Sequence, residues 1–205
     1  MKRSLIIFCA ALAFISFSTG QDAYAVSYEF SIKPNMMDLN HDYAYTWGIS
    51  QSLEQNEIIT EASLSISNIN NWTMEQNILY INLLNTADPG VKRHKDRGTG
   101  NYFEGEGLLL DEYIDKSKTW TGRKWINVAD NYTYTFDDSE VTALNNVLKD
   151  GIFGFGFGFD PDCHYYYNAL VFQFQSKSIP EPATLVLLCS GLAGLAFFRR
   201  HNLKK

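Results

Sequence analysis

Large apolar residues alternate with small or polar ones along much of the chain between residues 43 and 174. A period of two places every second side chain on the same side of an extended backbone, as in a β-strand with one buried face. From Ala62 to Ser67 the apolar positions alternate with three serines, which is typical of an antiparallel strand with one solvated side. Asn68 to Asn71 are predicted to form a turn. The same alternation predicts strands at Tyr43–Ile49, Leu79–Leu83 and Tyr132–Phe136, and further strands are predicted at Leu108–Leu110, Trp125–Val128 and Leu170–Phe174.

A helical period is found between Ser139 and Lys149. Asp137 and Glu140 have the spacing of a capping box, in which each side chain accepts a hydrogen bond from the other's backbone N–H. Gly151 suits the C-terminal cap. The apolar stripe that would pack on the core consists of Val141, Leu144, Val147 and Leu148.

Between Ile152 and Phe159 four phenylalanines alternate with three glycines. A strand with a bare glycine face indicates that something approaches its backbone closely, either a packed side chain or a ligand. The polar, glycine-rich stretch from Asn85 to Gly107 is predicted to be a long loop. It contains a basic cluster, residues 92–97, which is interpreted as solvated, with contact to an anionic polysaccharide as the alternative.

About eight strands, many aromatics, one short helix and no βαβ alternation predict an all-β protein. The predicted architecture is an antiparallel β-sandwich, jelly-roll-like, with one short helix. This domain, residues 26–179, is distantly similar to the sandwiches used as carbohydrate-binding modules. That likeness is carried by Asp160-Pro161-Asp162 and the aromatic strands on either side of it.

The N-terminus has the three parts of a secretory signal peptide. Lys2 and Arg3 form a basic start, Leu5–Phe17 an apolar stretch, and Ala23-Tyr24-Ala25 a small-x-small cleavage site. Residues 1–25 are therefore predicted to direct export through the Sec translocon and to be removed before Val26, the alternative being an uncleaved anchor.

At the other end, Gln175–Ile179 are predicted to be a short linker to the C-terminal segment. An apolar run from Ala183 to Phe198 follows Pro180-Glu181-Pro182 and stops against Arg199 and Arg200. Sixteen helical residues span about 24 Å, a little less than the bilayer core of about 30 Å, and the arginines can reach the interface. Basic residues after the run predict a cytoplasmic C-terminus. Residues 183–198 are thus predicted to form a single transmembrane helix.

The C-terminus thus contains, in this order, a Pro-Glu-Pro triplet, an apolar run and an arginine cluster. This arrangement resembles the PEP-CTERM sorting signal of Gram-negative exosortase substrates. The resemblance covers residues 180–205 and implies that Pro180, Glu181, Pro182, Arg199 and Arg200 are the sorting motif. It also implies a precursor held in the inner membrane until an exosortase cuts near the triplet, after which the domain reaches the cell surface or the extracellular matrix.

The charge of the predicted domain restricts its partners. Residues 26–179 contain 11 Lys and Arg against 21 Asp and Glu, which argues against nucleic acid. Cys163 is the one cysteine between the predicted signal peptide and the predicted membrane helix, so no disulfide within the domain is expected. A buried thiol is favoured over a nucleophile at this position.

Two acidic segments are candidates for a structural Ca²⁺ site. Asp38, Asn40 and Asp42 alternate as in a calcium loop, but Tyr43 and Ile49 stand where an EF-hand has Gly and Glu. Asp160 and Asp162 flank Pro161 at the end of the Phe/Gly strand. If the strands beside them are neighbours, these five residues can supply oxygen ligands jointly. Turn formation and capping are the alternative.

The aromatic side chains of Trp72, Trp120, Trp125 and Tyr166 are candidates for stacking on sugar rings, with burial in the core as the alternative. The chain contains no G-x-S-x-G, H-E-x-x-H or nucleotide-binding loop, and no enzymatic activity is predicted. The expected function is that of an exported, non-catalytic domain that binds exopolysaccharide. The alternatives are a purely structural matrix protein and a glycan-active enzyme.

Overall fold

Two antiparallel sheets and one α-helix dominate the computed structural model, which describes residues 25–32, 38–40, 42–54, 56–71, 77–115, 118–160, 164–179 and 191. The chain divides into two compact units, one of residues 25–177 and one of residues 1–24 and 178–205. In the described part the strands are β1 (Ala25–Ser31), β2 (Asp38–Asn40), β3 (Tyr43–Ser50), β4 (Glu57–Asn71), β5 (Ile78–Leu84), β6 (Gly90–Lys95), β7 (Leu108–Ile114), β8 (Lys118–Trp120), β9 (Trp125–Asn127), β10 (Asp130–Thr135), β11 (Ile152–Phe159), β12 (His164–Tyr166) and β13 (Ala169–Ser178).

The Phe/Gly strand lies at the centre of a five-stranded sheet with the order β6-β3-β11-β5-β7. β11 is antiparallel to both neighbours, and Phe155 is paired with Trp47 on β3 and with Leu83 on β5. All three side chains therefore lie on one face of the sheet. On the opposite face Gly156 is paired with Thr46 and with Asn82.

The second sheet has six strands in the order β1-β13-β4-β12-β2, with β10 paired to β4. β4 is 15 residues long and continues through Asn71. The predicted turn at Asn68–Asn71 is therefore wrong, although Asn68 has a positive φ of 52° beside an irregularity in the pairing with β10. Asparagine tolerates this left-handed conformation, so the strand bends there without ending. The short strands β8 and β9 form a separate pair.

Aromatic side chains join the two sheets. Phe172 on β13 lies 4.9 Å from Phe155 and 5.7 Å from Phe153, measured between ring centroids. All three are fully buried. Tyr132 on β10 also donates a hydrogen bond of 2.5 Å to the Asp111 carboxylate on β7, across the two sheets. Both sheets thus contribute to one aromatic core, and the prediction of an antiparallel all-β protein is confirmed.

The helix α1 (Asp138–Val147) is continued by a 3₁₀ turn (Leu148–Asp150). The predicted capping box is present, because the Asp137 side chain accepts from the Glu140 N–H and the Glu140 side chain accepts from the Asp137 N–H. Gly151 has φ 74°, the left-handed conformation that ends the helix. Asn145 fixes α1 to β4 by donating to the Ile59 carbonyl and accepting from its N–H. The predicted helix is confirmed.

Candidate functional site

The sorting residues predicted from the sequence, Pro180, Glu181, Pro182, Arg199 and Arg200, lie outside the described residues. So does the predicted transmembrane segment 183–198 apart from Gly191. Among the residues that are described, no helix is both long and apolar enough to cross a membrane. The predicted signal peptide, residues 1–25, is described only at Ala25.

The chain that leads to the sorting residues is part of a sheet. Residues 175–179 are predicted from the sequence to be a short linker, and this prediction is wrong for 175–178. β13 continues to Ser178 and pairs with β1, with Lys177 opposite Ala25 and Ser176 opposite Val26. Ala25 and Val26, between which the signal peptide is predicted to be cut, therefore lie beside residues 176–177 on the neighbouring strand.

Protein side chains cover the glycine face of β11. A Cβ placed on Gly156 would lie 2.7 Å from Cδ2 of Phe103, and one on Gly154 would lie 2.6 Å from the Cβ of Ala87. Neither residue of the strand has room for a side chain. Of the two explanations offered by the sequence, a packed side chain and a ligand, the structure shows the packed side chain.

The covering residues come from the stretch that was predicted to be a loop. Residues 90–95 form the edge strand β6, so a loop is the wrong prediction for them. Residues 101–106 form successive turns, and Asn101 and Asn82 exchange side-chain amide hydrogen bonds of 2.9 and 3.0 Å. Phe103 is 3% exposed and belongs to a small second core with Ala44 and Leu84. We call residues 85–89 and 101–106 the cover.

A groove of about 520 Å³ opens between the two parts of the cover. Tyr102 at its edge is 39% exposed, and its ring is held by His94 at 6.0 Å and Phe103 at 4.9 Å between centroids. Below it, Nε2 of His94 lies 3.1 Å from Oγ1 of Thr46. The groove therefore combines a positioned aromatic ring with polar groups. Its remaining lining is Leu84, Asn85, Thr86, Ala87, Asp88, Pro89, Lys92, Glu106 and Ile152.

The basic cluster does not act as one charged patch. Because β6 is a strand, its side chains alternate between the two faces of the sheet. Lys92 is opposite Thr46 and forms an ion pair with Asp88, whose pKa is lowered by this contact. Arg93 is on the other face, with its guanidinium carbon 5.1 Å from the centroid of the Tyr43 ring.

Strand pairing places β2, which holds Asp38 and Asn40, beside β12, which follows Asp160 in the chain. β2 pairs with β12, so that Asn40 is opposite His164, shortly after Asp160 in the chain. The Asp42 N–H donates to Oδ1 of Asn40 at 2.9 Å, and the Asp160 N–H donates to the Ile78 carbonyl at 3.1 Å. Among the described residues, no group of three or more His, Cys, Asp and Glu is arranged to hold a metal. Asp162 lies outside them, and the calcium site, with Asp38 as its first residue, stays a prediction.

The aromatic candidates fall in three different places. Tyr166 is 39% exposed, whereas its neighbours Tyr165 and Tyr167 are buried. Trp120 and Trp125 are directly paired on β8 and β9, and Trp72 lies outside the described residues. Their role in binding stays a prediction. Tyr102, which the sequence reasoning missed, is as exposed as Tyr166, and its signal was an aromatic pair inside a glycine-rich stretch.

Comparison with known families identifies the C-terminal end. The model of the PEP-CTERM protein-sorting motif matches residues 178–200. This match begins at the last residue of β13 and includes the triplet and both arginines. The chain thus carries a sorting signal that implies export, membrane anchoring of the signal and an exosortase as processing partner. No curated protein matches the chain.

Proposed function

We propose that the protein is a surface or extracellular-matrix protein whose domain, residues 25–177, binds exopolysaccharide without catalysing a reaction. The sorting motif at residues 178–200 supports the first part of this proposal. Exposed aromatic rings beside polar groups support the second, because sugar rings bind by stacking and by hydrogen bonds to their hydroxyl groups. Trp72, Trp120, Trp125 and Tyr166 are the aromatic contacts proposed from the sequence.

The proposed route has two cleavages. The signal peptide is removed during Sec-dependent export, and segment 183–198 then holds the precursor in the inner membrane with its C-terminus in the cytoplasm. An exosortase cuts near Pro180-Glu181-Pro182 and delivers the domain to the surface or the matrix.

Expression of the full chain with and without an exosortase tests this route. With the enzyme, we expect a shortened product outside the inner membrane. Without it, or with all three triplet residues replaced by alanine, we expect the longer form in the inner-membrane fraction. The control is Lys204→Ala combined with Lys205→Ala, which changes only charges beyond the matched residues 178–200 and should leave processing intact. Full-length protein free in the cytosol would contradict the proposal.

The matrix role is tested by cosedimentation of the full chain with exopolysaccharide from the producing strain. Retention that is competed by the soluble polymer supports saccharide binding. Self-association without such retention would favour the purely structural alternative. Release of reducing sugar ends, lost in Asp160→Asn or Asp162→Asn, would favour the glycan-active enzyme.

We also propose that a structural Ca²⁺ joins the segments 38–42 and 160–162. Carboxylate and amide oxygens are ligands that Ca²⁺ prefers, and the pairing of β2 with β12 supports their proximity. A ligand that binds only the folded state raises the Tm. We expect EDTA to lower the Tm and Ca²⁺ to restore it, whereas a Tm that EDTA leaves unchanged would remove calcium from the account.

A further inference from the structure

We propose that the groove in the cover, at Tyr102 and Glu106, is the saccharide-binding site, and that it takes an uncharged polysaccharide. This inference rests on the proposed saccharide binding and adds its location and its ligand class. It differs from the alternative, left open by the sequence, in which the basic residues of 92–97 meet an anionic polysaccharide.

The groove has the size and rigidity of a binding site. Its volume of about 520 Å³ lies within the range of about 300–1,000 Å³ that is common for small-ligand sites. The Tyr102 ring is fixed between His94 and Phe103, and Phe103 is anchored against Gly156. An aromatic ring that is already in position loses little conformational entropy when a sugar stacks on it.

The groove offers both hydrogen-bond donors and acceptors to the hydroxyl groups of a sugar. Asp88 and Glu106 provide carboxylate oxygens, and Asn85 provides an amide with both functions. Lys92 adds a further donor. This mixture suits a polyhydroxylated ligand better than a purely apolar one, since each sugar hydroxyl donates one hydrogen bond and accepts others.

Charge favours an uncharged polymer over an acidic one. The ammonium of Lys92 is already paired with Asp88, and Glu106 adds a second carboxylate to the lining. Arg93 lies on the opposite face of β6, over the Tyr43 ring. The domain as a whole has an excess of acidic residues, so a polyuronate would be repelled at long range as well as in the groove.

A second groove, of about 460 Å³, is lined by residues of the six-stranded sheet and of α1. Thr60, Thr135 and Gln175 contribute to it, and its two aromatic residues, Phe136 and Phe174, are 6% and 1% exposed. It therefore offers no exposed ring for a sugar. Of these two grooves, the one at Tyr102 is therefore the better candidate.

Affinity electrophoresis and calorimetry of the full chain test the proposal. The protein is kept in a detergent without a sugar headgroup, because maltoside or glucoside detergents would compete. The neutral probes are dextran, mannan, starch and laminarin, and the acidic probes are alginate and polygalacturonate. We expect binding to at least one neutral polymer, no binding to the acidic ones, and an affinity unchanged by about 0.5 M NaCl because no ion pair is involved.

Two substitutions have matched controls in the same chain. Tyr102→Ala is expected to weaken binding about tenfold or more, as the loss of an aromatic stacking contact does, while Val128→Ala, which is 42% exposed and outside the groove, leaves it unchanged. Glu106→Gln is expected to weaken it several-fold, while Glu104→Gln, two residues away and outside the groove, does not. Near-ultraviolet circular dichroism shows whether each variant keeps the native fold. If Tyr102→Ala disturbs the fold, the result for Glu106→Gln tests the groove.

The outcomes separate this inference from the proposed function. Binding that depends on Tyr166 and not on Tyr102 or Glu106 overturns the groove but leaves saccharide binding intact. Groove-dependent binding to the acidic probes overturns the ligand class. Absence of binding to every probe overturns this inference, whereas the proposed function fails only when the exopolysaccharide of the producing strain is not retained either.

Discussion

The two sheets share one aromatic core but present different outer faces. On β11 the outer positions are glycines, and they are buried beneath Ala87 and Phe103. On β4 and β10 the outer positions are polar and include the hydroxyl side chains of Ser65, which is half-buried, and Thr133, which is exposed; the two hydrogen bond to each other at 3.0 Å. Both faces result from a period of two in the sequence. The residue type that alternates with the large apolar side chains determines what lies on the outer face. Serine and threonine at these positions face water, whereas glycine leaves room for another segment of the chain to pack on the strand.

Removal of the Phe103 ring, which covers the glycine face, should have the largest effect on stability. Phe103→Ala removes a buried side chain from the small core with Ala44 and Leu84, and we expect it to lower the free energy of unfolding by about 3 kcal/mol. Urea unfolding measures the loss, and hydrogen exchange should show deprotection of residues 101–106. A loss below about 1 kcal/mol would mean that the cover contributes little to the fold.

A methyl group added on the covered face should destabilise the protein less than the loss of Phe103 does, but still measurably. A Cβ on Gly48 would lie 2.0 Å from the backbone oxygen of Asp88, and backbone cannot rotate away as a side chain can. We expect Gly48→Ala to lower the free energy of unfolding by about 2 kcal/mol. Ser65→Ala, on the solvated face of the other sheet, is the control and should change it by less than about 0.5 kcal/mol. Equal effects at both positions would remove the distinction between the faces.

The contact between the cover and β11 predicts that substitutions at Gly156 and Phe103 have non-additive effects on the free energy of unfolding. The three atoms nearest to a Cβ on Gly156 all belong to the Phe103 ring. Gly156→Ala should therefore destabilise the protein by about 1 kcal/mol when Phe103 is present and be nearly neutral in the Phe103→Ala background. A double-mutant cycle by urea unfolding measures this coupling. Additive effects would show that the ring does not lie on Gly156.

The smallest expected effect concerns α1, which is anchored to β4 of the six-stranded sheet. Hydrogen bonds from Ser139 and from the Glu140 N–H lower the pKa of Asp137 below its ordinary value of 3.8. Its carboxylate therefore stabilises the folded state above this pH, and the contribution is lost as the pH falls through the lowered pKa. We expect Asp137→Ala to reduce the Tm by a few degrees at neutral pH.

Asp137→Asn is the matched variant for this effect, because it keeps an acceptor for the Glu140 N–H but cannot titrate. It should retain most of the Tm at neutral pH and lose less stability than the natural protein as the pH falls from about 5 to about 3. Thermal unfolding at a series of pH values in this window measures the difference. An identical pH dependence in both proteins would contradict the assignment.

Sequence patterns predict those structural features that depend on residues close together in the chain. The alternation at Leu79–Leu83 and the capping box at Asp137 indicated a strand and a helix that the structure contains. The sequence also indicated that the glycine face is closely approached. It did not reveal the partner, since Phe103 is about fifty residues away and lies in a stretch whose polar composition favours a loop.

The ends of the strands were harder to predict for the same reason. Asn68–Asn71 has the composition of a turn, and residues 175–178 that of a linker, but pairing with β12 and β1 keeps both segments extended. Backbone pairing between distant strands leaves no mark in local composition. The groove at Tyr102 was missed because it requires the cover to be folded.

Hydrogen exchange of the full chain, with and without the neutral polysaccharide that binds it, decides whether the cover is the binding surface. We expect slower exchange at residues 85–89 and 101–106 when the polymer is bound, and unchanged exchange at residues 63–67 and 130–135 on the other outer face. Protection of the second pair of segments, with the cover unaffected, would show that the saccharide binds elsewhere and that the cover has no part in it.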